Sequence, residues 1–128
     1  MMMVLQRILL VEDEADIQAV ARVALEMVGG FEVQVCSSGQ QALQEAEAFS
    51  PDLLVLDVMM PGMDGPDTLK ALRERSTLAE VPAIFMTAKV QPAEVEYYRS
   101  LGALGVIAKP FDPMMLANQV RQLVEEGA

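Results

Sequence analysis

Histidine is absent from the 128 residues. That excludes Ser-His-Asp catalysis, a zinc site built on imidazole, and any role as a phosphohistidine carrier. Tryptophan is absent too, while methionine occurs ten times, so the core is adaptable and has no indole anchor. Cys36 stands alone, which rules out an internal disulfide or a thiolate metal cluster and fits a reducing cytosol. It reads as a small apolar strand residue. Positive charge is scarce: nine Lys and Arg face nineteen Asp and Glu, a formal charge of -10. Such a chain repels nucleic acid and anionic membranes, because both are bound chiefly through Lys and Arg. No apolar run reaches the ~18 residues of a membrane span. The start, Met1-Met2-Met3-Val4-Leu5-Gln6-Arg7, lacks the charged, apolar and small-residue regions of a secretion signal. Its three methionines carry no functional weight.

What is present is a repeated pattern. Ile8-Leu9-Leu10-Val11 runs into Glu12-Asp13, and Leu53-Leu54-Val55-Leu56 into Asp57. Ala83-Ile84-Phe85-Met86 runs into Thr87, and Gly105-Val106-Ile107-Ala108 into Lys109-Pro110. Short continuous apolar runs separated by helical spacing predict strands buried on both faces of a parallel sheet. Parallel strands share one C-terminal rim, where ligands bind in open α/β sheets. Three carboxylates, a hydroxyl and an ammonium should therefore meet in one crevice.

The order predicted is β-α repeated five times in one domain over 1–128. The first strand is expected at about 7–11. The first helix, about 15–28, carries Ile17, Val20, Ala21, Ala24, Leu25 and Val28 on one stripe and ends at Gly29-Gly30. Alternation over Phe31–Cys36 marks an edge strand. Ser37 or Ser38 caps a second helix to about Phe49. After Asp57 a long turn with Pro61, Gly62 and Gly65 leads to a third helix at about 66–75. A fourth strand (about 81–87), a fourth helix opened by Pro92, a fifth strand (about 105–108) and a last helix opened by Asp112 or Pro113 complete the chain. The fold expected is a (βα)5 flavodoxin-like three-layer sandwich with strand order 2-1-3-4-5.

The chemistry of the rim follows from charge. Two like charges about 4 Å apart repel by roughly 4 kcal/mol at an effective dielectric near 20. Gathering Glu12, Asp13 and Asp57 needs a cation or a proton. Hard oxygen ligands without His or Cys favour Mg²⁺, with Mn²⁺ or Ca²⁺ as substitutes. The plainer reading of Glu12-Asp13-Glu14 is a cap on the first helix, and Glu14 stays with it. Asp57 is the natural nucleophile for a phosphoryl group. Transfer of that group needs charge neutralisation more than help with bond making. Lys109 offers a point charge and Thr87 a hydroxyl donor, against plainer readings as a surface lysine and a strand-end β-former.

The motifs resemble a response-regulator receiver domain, the phosphoacceptor module of two-component signalling. They are Ile8-Leu9-Leu10-Val11-Glu12-Asp13-Glu14, then Asp57 through Gly65, then Thr87-Ala88-Lys89, then Gly102-Ala103 leading to Lys109-Pro110-Phe111. The resemblance implies phosphorylation of Asp57, taken from a sensor histidine kinase or histidine phosphotransfer protein. It implies that Asp13 and Asp57 ligate Mg²⁺ directly with the backbone carbonyl of Met59, that Glu12 acts largely through a metal-bound water, and that Thr87 and Lys109 bind phosphoryl oxygens. It further implies a cis Lys109-Pro110 peptide, and side chains at Met59 and Lys89 that influence how water reaches the acyl phosphate. Such a module is no conventional enzyme; it catalyses its own phosphorylation and dephosphorylation, in the cytoplasm. It signals by protein contact around the fourth helix, fifth strand and fifth helix.

One departure stands out. The aromatic residue usual three positions before the lysine is Val106 here. A valine cannot make the same inward swing, so movement of the loop and the fourth helix, involving Tyr97 or Tyr98, is expected to carry the signal, against the plainer reading of both tyrosines as an ordinary amphipathic helix surface. Two other classes fit less well. An aspartate phosphatase of the haloacid-dehalogenase type would need an acid where Met59 stands, and an FMN carrier would need a phosphate loop where Glu12-Asp13-Glu14 stands. The chain closing at Glu125-Glu126-Gly127-Ala128 leaves a stand-alone receiver, a relay intermediate or an excised fragment, with length favouring the first two.

Overall fold

A computed structural model describes residues 5–127; the three leading methionines lie outside the described residues. The elements are β1 (Arg7–Val11), α1 (Ala15–Val23) continued by a π-helical turn (Ala24–Val28), β2 (Glu32–Cys36), α2 (Gly39–Phe49), β3 (Leu53–Asp57), α3 (Gly65–Arg73), β4 (Ala83–Thr87), α4 (Pro92–Ser100), β5 (Gly105–Ala108) and α5 (Leu116–Gly127). The five strands form one parallel sheet in the order β2-β1-β3-β4-β5.

Successive strand residues point to opposite faces, and the apolar runs feed two cores. Leu9, Val11, Leu54, Leu56 and Phe85 pack with residues of α2, α3 and α4 on one face. Ile8, Leu10, Leu53, Val55, Ile84, Met86 and Ile107 pack with α1 and α5 on the other. β1, β3 and β4 are closed off on both sides, which is why they read as unbroken apolar runs. β2 is one of the two edge strands, with β5 the other, and its alternation follows from that position. Cys36 lies buried in β2, where burial, reinforced by the negative charge of Glu45, pushes its thiol up to about 12.

Local chemistry sets the helix starts. Ser38 accepts a hydrogen bond from the Gln41 amide as N-cap of α2, and Asp64 does the same for Asp67 in α3. Pro92 sits in the first turn of α4.

Two expectations need correction. Helical periodicity places Val20 and Val28 on the inward stripe of the first helix, yet both lie about half exposed. The inward face narrows to Ala21, Ala24 and Leu25, and the π-helical turn, closed by Gly29 and Phe31 amides on the Ala24 and Leu25 carbonyls, offsets the 3.6-residue period. The last helix begins later than expected. Asp112 does open a turn, its carboxylate accepting from the Met114 amide, but the regular helix starts at Leu116.

Candidate functional site

Parallel pairing brings the ends of β1, β3, β4 and β5 to one rim. Leu56 lies beside Val11 and Phe85, and Thr87 beside Ala108. Carboxylate oxygens of Glu12, Asp13 and Asp57 all lie within 4.8 Å of one another. Lys109 reaches between two of them: its Nζ is 2.9 Å from Glu12 Oε1 and 3.1 Å from Asp57 Oδ1. The Lys109-Pro110 peptide that precedes the last helix is cis.

Glu12 is fully buried and held at every polar atom. Its amide donates to Cys36 O, its carbonyl accepts from Gln18 Nε2, Oε1 accepts from Lys109 and Oε2 from the Glu14 amide. Asp13 is the opposite case: its Oδ1 is buried and has no hydrogen-bond partner among the described residues. An unpaired buried carboxylate oxygen is costly. Facing two further carboxylates, it suits a hard divalent cation. The donor set therefore fits the metal site read from the sequence, with Asp13 open for direct ligation. Glu14 is the N-cap of α1 but makes no side-chain cap bond, so helix capping does not account for the acidic run.

Asp57 is 4% exposed, and Lys109 covers it. Burial pushes the carboxyl groups of Glu12 and Asp57 above their ordinary values, against the opposing pull of Lys109. Burial alone would lower the Lys109 ammonium, but its hydrogen bonds to Glu12 and Asp57 and their charges outweigh that and raise it.

Thr87 is buried at the end of β4, and its Oγ1 accepts from the Lys89 amide at 3.0 Å, which leaves the hydroxyl proton available to a further acceptor. Met59, two residues past Asp57, has a 72% exposed side chain. Tyr98 is buried against Phe85, ring centroids 5.3 Å apart, while Tyr97 stays exposed at the same distance from Tyr98. Val106 is half-buried against the core that holds this pair.

Sequence reasoning missed two supports. A Cβ on Gly65 would come within 2.4 Å of Asp57 O, so α3 starts tight under the Asp57 backbone, and the Gly65 amide donates to Val58 O. The glycine after Asp64 was visible as a turn signal, but not as a close approach. Gln18 bonds the end of β1 to Ser37 Oγ in the turn after β2, and nothing in its local sequence marks it. A surface hollow of about 700 Å³ lies away from the acids, along the β2 edge beside Arg7, Glu32 and Phe49.

A family model described as response regulator receiver domain matches residues 8–121. The DNA-binding response regulator MtrA of Mycobacterium tuberculosis is 39% identical over 116 residues, covering 91% of this chain and 49% of that protein. The alkaline phosphatase synthesis transcriptional regulatory protein PhoP of Bacillus subtilis is 35% identical over 122 residues, 95% of this chain and 50% of that protein. The chain thus spans about half the length of these curated relatives. Among solved structures, the chemotaxis response regulator CheY4 of Vibrio cholerae superposes with a TM-score of 0.85 at 28% identity, over 94% of this chain and 99% of that one.

Proposed function

The chain belongs to the response regulator receiver domain family, and from that premise we propose that it accepts a phosphoryl group on Asp57, from a histidine kinase or a histidine phosphotransfer protein. Receivers are signalling modules of two-component systems rather than conventional enzymes, and the proposal makes residues 1–128 one such module. The observation that carries it is the constellation on the rim: Lys109 bridging Glu12 and Asp57, beside an Asp13 oxygen without a hydrogen-bond partner among the described residues.

Asp13 and Asp57 would hold the metal together with the Met59 backbone carbonyl, and Glu12, its oxygens already engaged, would act through a water. Bound there, Mg²⁺ (Mn²⁺ or Ca²⁺ as substitutes) supplies charge neutralisation on the phosphoryl oxygens. A carboxylate oxygen of Asp57 attacks phosphorus, the bond from phosphorus to the donor imidazole nitrogen breaks, and an acyl phosphate forms. Lys109 is poised to follow the negative charge from the carboxylate to the phosphoryl group. The Thr87 hydroxyl turns its free proton to another phosphoryl oxygen. This chain has no histidine, so the phosphoimidazole comes from a partner.

The donor has a surface to meet. Val20 and Val23 of α1, Val28 of the turn that continues it and Met114 before α5 line one exposed apolar hollow, and a second hollow of about 430 Å³ bounded by Ile17, Val20, Pro110 and Phe111 extends that surface to Lys109. An exposed apolar patch next to the reacting group suits a helical partner.

Output runs through the opposite flank. Phe85 and Thr87 lie on the same face of β4, and Phe85 packs on Tyr98, so a Thr87 movement reaches α4. The target is a protein docking on α4, β5 and α5; the charge of -10 disfavours direct contact with nucleic acid. Among the described residues no helix is long and apolar enough to cross a membrane, and the module is proposed to work in the cytoplasm without membrane insertion.

Incubation with acetyl phosphate and Mg²⁺ tests the reading. Acid-labile label appears on the wild type and is lost on chelation and in Asp57→Asn; label that persists in the Asn variant overturns it.

A further inference from the structure

We propose that Gln18 is a positioning residue for the metal ligand Asp13, an inference that rests on the metal site described above. Gln18 lies in the second turn of α1 and touches none of the three carboxylates in the structure's hydrogen-bond pattern. Its Nε2 donates instead to the Glu12 main-chain oxygen at 2.5 Å and to Ser37 Oγ at 3.2 Å.

The position of that carbonyl matters. Glu12 O and the Asp13 amide belong to one planar peptide unit. Holding the oxygen fixes the rotation of the plane, and with it the backbone direction from which the Asp13 side chain departs. On the other side of the residue, the Glu12 amide is tied to Cys36 O in β2. Glu12 is thus clamped by its own four polar bonds, whereas Asp13 Oδ1 has none among the described residues. The aim of Asp13 depends on the plane, and Gln18 is the side chain that holds it.

The anchor is itself anchored. The Ser37 amide donates to Gln41 Oε1 at 2.7 Å, and Gln41 Nε2 donates to Glu45 Oε2 at 2.7 Å. The acidic loop is therefore braced from α2 across the turn after β2. Polar networks with every donor placed hold side chains in one arrangement, and the partners that orient metal ligands contribute to metal affinity though they never touch the ion.

The test uses Gln18→Met, which keeps the length of the side chain and removes the donor, and Ser37→Ala, which removes only the outer brace. Mg²⁺ alone is the probe, with affinity followed by NMR shifts of the Asp13 and Asp57 amides in the absence of any phosphodonor. Gln18→Met is expected to weaken Mg²⁺ about tenfold, and Ser37→Ala by a smaller factor. Gln18→Met leaves the buried Glu12 oxygen unpaired and lowers the metal-free melting temperature; metal-free amide shifts that stay at their wild-type positions outside the acidic loop separate positioning from general loss of structure. Equal Mg²⁺ affinity in wild type and Gln18→Met overturns the proposal while the metal site stands. Failure of the wild type to bind Mg²⁺ overturns the site and this proposal together.

Discussion

Lys109 Nζ lies 2.9 Å from Glu12 Oε1 and 3.1 Å from Asp57 Oδ1, joining β5 to the ends of β1 and β3 across 97 and 52 residues of sequence. One ammonium thus holds two buried acids that would otherwise repel. Removing one partner from a buried charge cluster costs more than the cluster contributes net, because the others remain unpaired. Lys109→Met is expected to lower stability in urea unfolding by about 3 kcal/mol at pH 8, at the low end for such losses since the acids can take up protons. The loss shrinks at pH 5, where protonation relieves the repulsion. A loss independent of pH would contradict the role given to Lys109.

The raised carboxyls set a second pH dependence. Burial lifts Glu12 and Asp57 above their unfolded values near 4. The folded state then binds protons more tightly than the unfolded one, so their contribution is fully present below pH 4 and is lost as pH rises through the folded values. Metal-free protein should melt higher at pH 5 than at pH 7, and Asp57→Asn should melt higher than wild type at pH 7. Added Mg²⁺ reverses that order by stabilising the wild type alone. Differential scanning calorimetry at the two pH values reads both effects.

Gly65 sits where a side chain would strike the Asp57 carbonyl at 2.4 Å. Gly65→Ala forces α3 away from the acceptor loop. It should cost about 1–3 kcal/mol, the range for overpacking, and slow labelling of Asp57 more than Ala at an exposed site does. Wild-type stability in this variant would refute the close approach.

With no tryptophan and only Tyr97 and Tyr98 as tyrosines, intrinsic fluorescence reports α4 directly. Tyr98 packs on Phe85, two residues before Thr87. Phosphorylation should change tyrosine emission, and Thr87→Ala should abolish the change while Asp57 is still labelled. Unchanged emission on phosphorylation would place the switch elsewhere, away from the path that bypasses Val106.

Buried strands were legible because β1, β3 and β4 are covered on both faces and leave unbroken apolar runs. Their polar termini were legible because parallel strands end on one rim. The inward stripe of α1 was not: 3.6-residue periodicity assigns Val20 and Val28 to the core, and it carries no sign of a π-helical turn or of a second apolar face. Gln18 was invisible for a different reason, since it acts on a main-chain oxygen and no motif spacing records that. Lys109 was expected to contact phosphoryl oxygens. Its tie to Glu12 emerges only when the chain ends of β1 and β5 are brought together.

Borohydride reduction followed by peptide mass spectrometry tests the central claim most directly, because hydride converts an aspartyl phosphate to homoserine. After incubation with acetyl phosphate and Mg²⁺, homoserine should appear at position 57 and nowhere else. Homoserine at Asp13, or phosphate held at any other residue with position 57 unchanged, would contradict the account.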